Sequence, residues 1–220
     1  DEERAEAEDL LALLTPIAKA FVTETGFEAV NLGLQCFGGH GYIRDWGMEQ
    51  NVRDARIAPL YEGTNGVQAI DLLGRKVLAS KGNLLERFTR RVEQFCEAHR
   101  DNPDLKPFVG RLEELSQQWG ELWVRIAAEN AKNRDEMGAA AFDFLMYSGY
   151  VTYAYFWARA AAVSCEALAR GEGDAAFYKA KLRTARFYYE RILPRTRPLV
   201  ETMTSGVANL MGEEGDCFDL

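Results

Sequence analysis

The chain reads as all-α, a helical bundle followed by a second helical bundle. Three observations predict it. Apolar residues recur at helical spacing along most of the 220 residues, as at Phe27, Val30 and Leu34 and again at Leu112, Leu115, Trp119, Leu122 and Ile126. No segment alternates apolar and polar residues with the period of two that a half-buried strand requires. Glycine, proline and asparagine gather in short breaks that divide the chain without any fixed repeat. With 47% hydrophobic residues, the chain is long enough to bury one core or two small ones.

In chain order, an acidic run from Asp1 to Asp9 passes without turn chemistry into Leu10, Leu11, Leu13 and Leu14, the pattern expected of a fragment that enters in mid-domain. Thr15-Pro16 supplies a helix start, with Thr as N-cap and Pro at the first helical position, where its missing N–H costs nothing. That helix ends at Gly38, Gly39 and Gly41, where the backbone can reverse or be approached closely. Asp45 to Arg56 reads as a short helix, and Pro59 fits an irregular connection after it. Asn65, with Gln68 three residues on, makes a capping box that opens a helix through Val67, Ile70, Gly74 and Val77 to the region of Ala79.

The polar break Ser80-Lys-Gly-Asn83 marks a domain boundary. It gives a first domain over 1–80, an additional helical bundle over 81–204, and an acidic flexible tail over 205–220 that carries Glu213, Glu214, Asp216 and Asp219. In the second region Leu85, Phe88, Val92 and Phe95 form one amphipathic pattern, Leu112 to Ile126 a second, and Tyr178, Leu182, Ala185, Tyr189 and Ile192 a third. Breaks fall at Asn102 to Pro107, Gly171 to Asp174 and Pro194 to Pro198. Between the second and third patterns, Met137 to Leu168 carries Phe142, Phe144, Tyr147, Tyr150, Tyr153, Tyr155, Phe156 and Trp157 all round a helix. Such a helix must be covered. Asp143 and Arg159 leave an uncharged run too short for a bilayer, so the expected place is the centre of the second bundle, with no membrane span.

The formal charge of −8 argues against a nucleic-acid partner, because phosphate neutralisation needs concentrated positive charge. Cys36, Cys96, Cys165 and Cys217 form no Cys-x-x-Cys pair, and with two histidines they offer no metal site. Reduced cysteines, and no visible signal or transit segment, give an expected cytoplasmic location.

The chemistry concentrates in Arg53-Asp-Ala-Arg-Ile-Ala-Pro-Leu-Tyr-Glu-Gly-Thr-Asn-Gly-Val-Gln68. Glu62 stands on a turn just before a helix N-terminus, where unpaired N–H groups point outward. From position alone its carboxylate can equally serve only to complement the helix dipole. Upstream lies Gln35-Cys-Phe-Gly-Gly-His-Gly-Tyr42. It is neither a Walker loop, since Gly39 falls where the lysine belongs, nor a dinucleotide fingerprint, since no strand precedes it. Alone it also reads as a helix C-cap followed by a loop.

Taken together and in this order, the two motifs resemble the C-terminal helical domain of the acyl-CoA dehydrogenases, flavoenzymes that oxidise acyl-CoA thioesters. The resemblance covers the first third of the chain. It implies that an N-terminal helical domain and a β-domain precede the matched region in the whole enzyme. It further implies FAD as cofactor and Glu62 as the catalytic base for the α-proton, with hydride passing from the β-carbon to flavin N5. Glu62 and Gly63 would meet the substrate, and the backbone N–H of Glu62 would help bind the thioester oxygen. Gln35, Gly38 and Gly39 would contact a flavin held mainly by a neighbouring subunit, hence a homo-oligomer, while Thr64, Asn65 and Gly66 would contact the nearer flavin. Gly66 stands where some members carry glutamine, which removes one side-chain contact.

An acyl-CoA substrate and an electron-transfer flavoprotein or similar acceptor complete the implied partners. An ordinary glutamate in water is too weak a base for a thioester α-carbon, so the site must close and exclude water. The 220-residue piece by itself is therefore expected to be inactive. Two alternatives stay open: an acyl-CoA oxidase, or a non-catalytic helical assembly module that keeps the motifs and binds no flavin.

Overall fold

The structure, a computed structural model, describes residues 2–211, and among them every regular element is helical. They are α1 (Glu2–Cys36), α2 (Gly39–Tyr42), a 3-10 turn (Arg44–Trp46), α3 (Met48–Arg56), and α4 (Asn65–Ile70), which runs on as a π-helical stretch (Asp71–Leu78). Then come α5 (Asn83–His99), α6 (Lys106–Asn130), α7 (Asp135–Arg170), and α8 (Ala175–Phe187), extended by a π-helical turn (Tyr188–Ile192) and a 3-10 turn (Leu193–Arg195) into α9 (Thr196–Met203).

The helix start at Thr15-Pro16 is not observed, because α1 runs unbroken through Pro16. A proline inside a helix costs about 3 kcal/mol through a lost hydrogen bond and a clash. Here Leu13, Ile17 and Phe21 form one buried stripe with Pro16 and Ala20, and three large apolar side chains at roughly 1.5–3 kcal/mol each outweigh that cost. Thr15 Oγ1 donates to the Leu11 carbonyl at 2.6 Å instead of capping. The acidic start of α1 lies along α5, with Arg91–Glu6 at 2.8 Å and Arg87–Asp9 at 3.1 Å; partly exposed pairs of this kind set register more than they add stability. By length and composition α1 would suffice to cross a bilayer, a test that core helices also pass, and it packs here against α3, α4, α5 and α7.

The centre of the fold is α7. It packs against α6, α8 and α9 and also against α1 and α4, and its Phe144, Leu145, Tyr147, Val151, Ala154, Ala158 and Ala161 are fully buried. One contiguous core runs from Leu13 on α1 through Leu72 and Leu73 to Met203 on α9. Where α1 crosses α7 the helices approach so closely that a Cβ on Gly149 would collide with the Phe21 ring; that ring meets Tyr150 edge-on at 4.9 Å. Buried tyrosines keep their hydroxyls satisfied: Tyr147 donates to the Leu115 carbonyl at 2.9 Å, Tyr188 to Tyr150 at 2.9 Å and Tyr189 to Ala154 at 2.8 Å. Burial pushes the pKa of all three upward, and burial, reinforced by Glu113, pushes the Cys96 thiol between α5 and α6 up to about 11.

The expected apolar patterns fall where the core needs them, with Leu85, Phe88 and Val92 on α5 and all five of Leu112 to Ile126 on α6 buried. Asp174 caps α8, accepting the Ala176 N–H at 2.8 Å. Pro194 to Pro198, read from the sequence as a break, is helical. Pro194 lies at the start of its 3-10 turn and Pro198 in the first turn of α9, where a missing N–H forfeits no intrahelical bond. Of the tail expected over 205–220, Val207 is buried and its N–H donates to Glu136 Oε1 at 3.2 Å; 212–220, with Cys217, lie outside the described residues.

Candidate active site

The connection from α3 to α4 is short, and a few bonds shape it. The N–H groups of Leu60 and Tyr61 both donate to the Ile57 carbonyl, at 2.9 and 3.2 Å, and that of Asn65 closes the loop onto the Pro59 carbonyl at 3.0 Å. Between these bonds the chain reverses through two successive left-handed residues, Glu62 at φ 57° and Gly63 at φ 80°. Glycine adopts that conformation freely, whereas an L-residue gives up roughly 1–2 kcal/mol. Glu62 is thus one of only two non-glycine residues with positive φ among those described. Such outliers persist where surrounding structure holds them, and they concentrate at functional sites.

The cap of α4 is Thr64, not Asn65. Thr64 Oγ1 accepts the Val67 N–H at 3.4 Å, and the Thr64 carbonyl accepts that of Gln68 at 3.0 Å. Gln68 does not close a capping box; its Nε2 lies 3.5 Å from the Glu62 carbonyl instead. Asparagine is the somewhat better cap of the two, and the choice is decided by what Asn65 does elsewhere. Its side chain is buried against α1, where Oδ1 accepts from Lys19 Nζ at 2.9 Å and Nδ2 donates to Thr23 Oγ1 at 2.9 Å and to Glu24 Oε1 at 2.8 Å. Lys19 Nζ also donates to the Gly63 carbonyl at 2.8 Å. Sequence reading missed Lys19, Thr23 and Glu24. The available signal was a lone cation in the apolar run between Leu10 and Val22.

Glu62 itself is exposed, and among the described residues no acceptor is paired with the backbone N–H of Glu62, Gly63 or Thr64. A carboxylate and three unpaired N–H groups therefore share one turn. Ile57, Leu60, Tyr61, Val67 and Ile70 surround it and keep about half of their surface exposed. Such an arrangement can accept a proton at the carboxylate and offer N–H donors to an oxygen beside it.

The glycine motif lies elsewhere. Gln35 is on the last turn of α1, some 24 Å beyond Lys19 along the helix axis at roughly 1.5 Å per residue. The Gly38 N–H donates to the Gln35 carbonyl at 3.0 Å, and Gly38 turns the chain at φ 57°. A Cβ on Gly38 or Gly39 would meet nothing within 4 Å, so the backbone there is open, whereas one on Gly41 would strike the Leu34 carbonyl. The structure thus gathers Glu62, Gly63, Thr64, Asn65 and Gly66 at one corner and sets Gln35, Gly38 and Gly39 apart from them.

Residues 3–78 match the family described as "Acyl-CoA dehydrogenase, C-terminal domain". Residues 88–213, more than half of the chain, match "Acetyl-CoA dehydrogenase C-terminal like". The chain belongs to the acyl-CoA dehydrogenase family. Among its relatives within the acyl-CoA dehydrogenases is the 3-methylmercaptopropionyl-CoA dehydrogenase of Ruegeria pomeroyi, 34% identical over 194 residues, covering 88% of this chain and 33% of the relative. Another is the broad-specificity linear acyl-CoA dehydrogenase FadE5 of Mycobacterium tuberculosis, 30% identical over 209 residues, covering 90% of this chain and 34% of FadE5. The crystal structure of Caenorhabditis elegans ACDH-11 in complex with C11-CoA matches with a TM-score of 0.69 at 25% identity, over 86% of this chain and 30% of that one. The chain thus spans about a third of the length of these acyl-CoA dehydrogenases.

Proposed function

We propose that this chain is the C-terminal helical part of an FAD-dependent acyl-CoA dehydrogenase that introduces an α,β double bond into an acyl-CoA thioester. The observation that carries this reading is the Glu62–Gly63 turn, which presents an exposed carboxylate beside three unpaired N–H groups. A Glu62 carboxylate oxygen takes the α-proton. As negative charge develops on the thioester oxygen, the Glu62 N–H donates to it, the work of an oxyanion hole. Gly63 leaves the approach free of a side chain, and the exposed Ile57, Leu60 and Tyr61 form an apolar wall that, once covered, excludes water from the carboxylate.

The residues present fit a flavin. Gln35, Gly38 and Gly39 are exposed, with backbone open to close approach, and would hold its adenine and pyrophosphate end. Thr64 and Gly66 are exposed as well and would hold a flavin at the Glu62 corner, while Asn65, its side chain committed to α1, acts by fixing the turn. When bound, FAD supplies the acceptor for the β-carbon hydride. Because Gln35 and Lys19, which holds the Glu62 corner, stand some 24 Å apart along α1 at roughly 1.5 Å per residue, we assign the two segments to flavins of different subunits in a homo-oligomer. An electron-transfer flavoprotein or similar protein reoxidises the enzyme.

The test uses the full-length enzyme. Glu62→Gln keeps size and polarity but cannot take the proton, so flavin reduction by acyl-CoA falls at least about 10²-fold while the protein stays yellow. Bleaching at the wild-type rate would reject the assignment.

A further inference from the structure

We propose that Lys19 is a positioning residue for Glu62: reaching from α1, it holds the Gly63 carbonyl and the Asn65 amide, and so fixes the left-handed turn that aims the carboxylate. This rests on Glu62 being the base and adds the group that sets the base's geometry. Lys19 Nζ lies 2.8 Å from the Gly63 carbonyl oxygen and 2.9 Å from Asn65 Oδ1, so one ammonium clamps both neighbours of Thr64. The donor is a cationic ammonium, which makes both bonds charge-assisted and stronger than those between neutral groups. Asn65 is in turn anchored on Thr23 and Glu24, so the clamp stands on one rigid helical platform.

The turn needs such a clamp. Glu62 is held in a conformation its Cβ disfavours, and from Glu62 to Thr64 no backbone N–H finds a partner among the described residues. The far side of the loop is held by the Asn65 N–H on Pro59, the anchored Asn65 side chain, a long Gln68 contact to the Glu62 carbonyl and the Lys19 bridges. Among these, only Lys19 ties Gly63 to α1. Lys19 directs two of its three donors to Gly63 and Asn65 and makes no bond to the Glu62 carboxylate. Releasing the clamp lets Glu62 relax toward an ordinary backbone conformation and swing away from the α-carbon, and a displacement of about 1 Å costs catalysis on the order of 10²-fold.

Two experiments test this. On the chain itself, hydrogen exchange of Lys19→Met should show the Asn65 backbone amide opening at least about tenfold faster, with α6 and α7 amides unchanged. Lys19→Gln, which keeps a donor without the charge, should do the same to a smaller extent. In the full-length enzyme, Lys19→Met should lower kcat by about 10- to 100-fold with KM for acyl-CoA within about twofold and flavin content unchanged, and Lys19→Arg should recover most of the loss. An unchanged Asn65 amide, a loss confined to KM, or an arginine variant as impaired as methionine would overturn the proposal. Glu62→Gln run alongside separates the two ideas. An inactive Glu62→Gln with a fully active Lys19→Met sinks the positioning role alone, whereas an active Glu62→Gln sinks the assignment of the base.

Discussion

At the scale of single residues, the site is defined by a conflict between side chain and backbone. A glutamate stands where a glycine would sit more comfortably. Replacing Glu62 by glycine relieves roughly 1–2 kcal/mol of left-handed strain and adds about 0.5–1 kcal/mol of unfolded-state entropy, so Glu62→Gly should be more stable than Glu62→Ala by about 0.5–1 kcal/mol. Urea unfolding of the two variants measures the difference, and an alanine variant equal to the glycine one would mean that the turn stores no strain. A change that eases the backbone while deleting the proposed base is the trade expected if Glu62 does the chemistry. The Glu62–Gly63 turn before α4 was legible in the sequence, from Gly63 and the capping residues that follow it. Lys19 was not. A lysine in an apolar helix reads as a side chain that snorkels to solvent, and its partner is a backbone carbonyl, which has no letter. The exchange of roles between Thr64 and Asn65 escaped for a related reason: asparagine is the better cap, and only its bonds to α1 take it away from that role.

At the scale of elements, periodicity was a sound guide and punctuation was not. The stripes on α5, α6 and α8 were legible because each helix has one face to bury and the spacing records which. Pro16 was misread because a local break signal is worth only a few kcal/mol and packing overrides it, and the Pro194 to Pro198 segment because both prolines sit in first turns, where a helix tolerates them. The π-helical stretch Asp71–Leu78 left no mark in the sequence at all, since an extra residue in one turn changes no composition. The crossing of α1 and α7 shows what the elements depend on. It is made at Gly149, where the Phe21 ring occupies the place a Cβ would take. Phe21 also contacts Tyr153, with ring centroids 5.1 Å apart, so it has little room to yield. Gly149→Ala should therefore destabilise by about 1–3 kcal/mol through overpacking, although alanine is the better helix former by about 1 kcal/mol. Because α1 carries Lys19, the same variant should also loosen the Asn65 amide. A thermal midpoint at or above wild type would show that the helices can separate without cost.

At the scale of the whole molecule, the core and the site have different needs. The core is continuous from α1 to α9 and is closed by contacts within these residues. The Arg195–Glu28 pair at 2.7 Å even ties the segment before α9 back to α1. The 220-residue chain is therefore expected to fold on its own. The site is another matter. Glu62 is exposed, the apolar side chains around it are half uncovered, and the Gln35 to Gly39 segment offers a second, distant set of contacts. Ordering and immobilising a flexible dinucleotide costs about 4–15 kcal/mol, and a single turn or a single glycine loop supplies only part of the contact needed to offset it. Without a cover, water also competes for the N–H donors at Glu62 and screens the carboxylate from a carbon-bound proton. The chain alone should consequently unfold cooperatively, show the circular dichroism of an all-α protein, and remain colourless after gel filtration from excess FAD, with no acyl-CoA-dependent reduction of an external acceptor. Stoichiometric yellow protein from these 220 residues would show that the Glu62 corner and the glycine loop suffice to hold the cofactor, and the requirement for a cover would have to be abandoned.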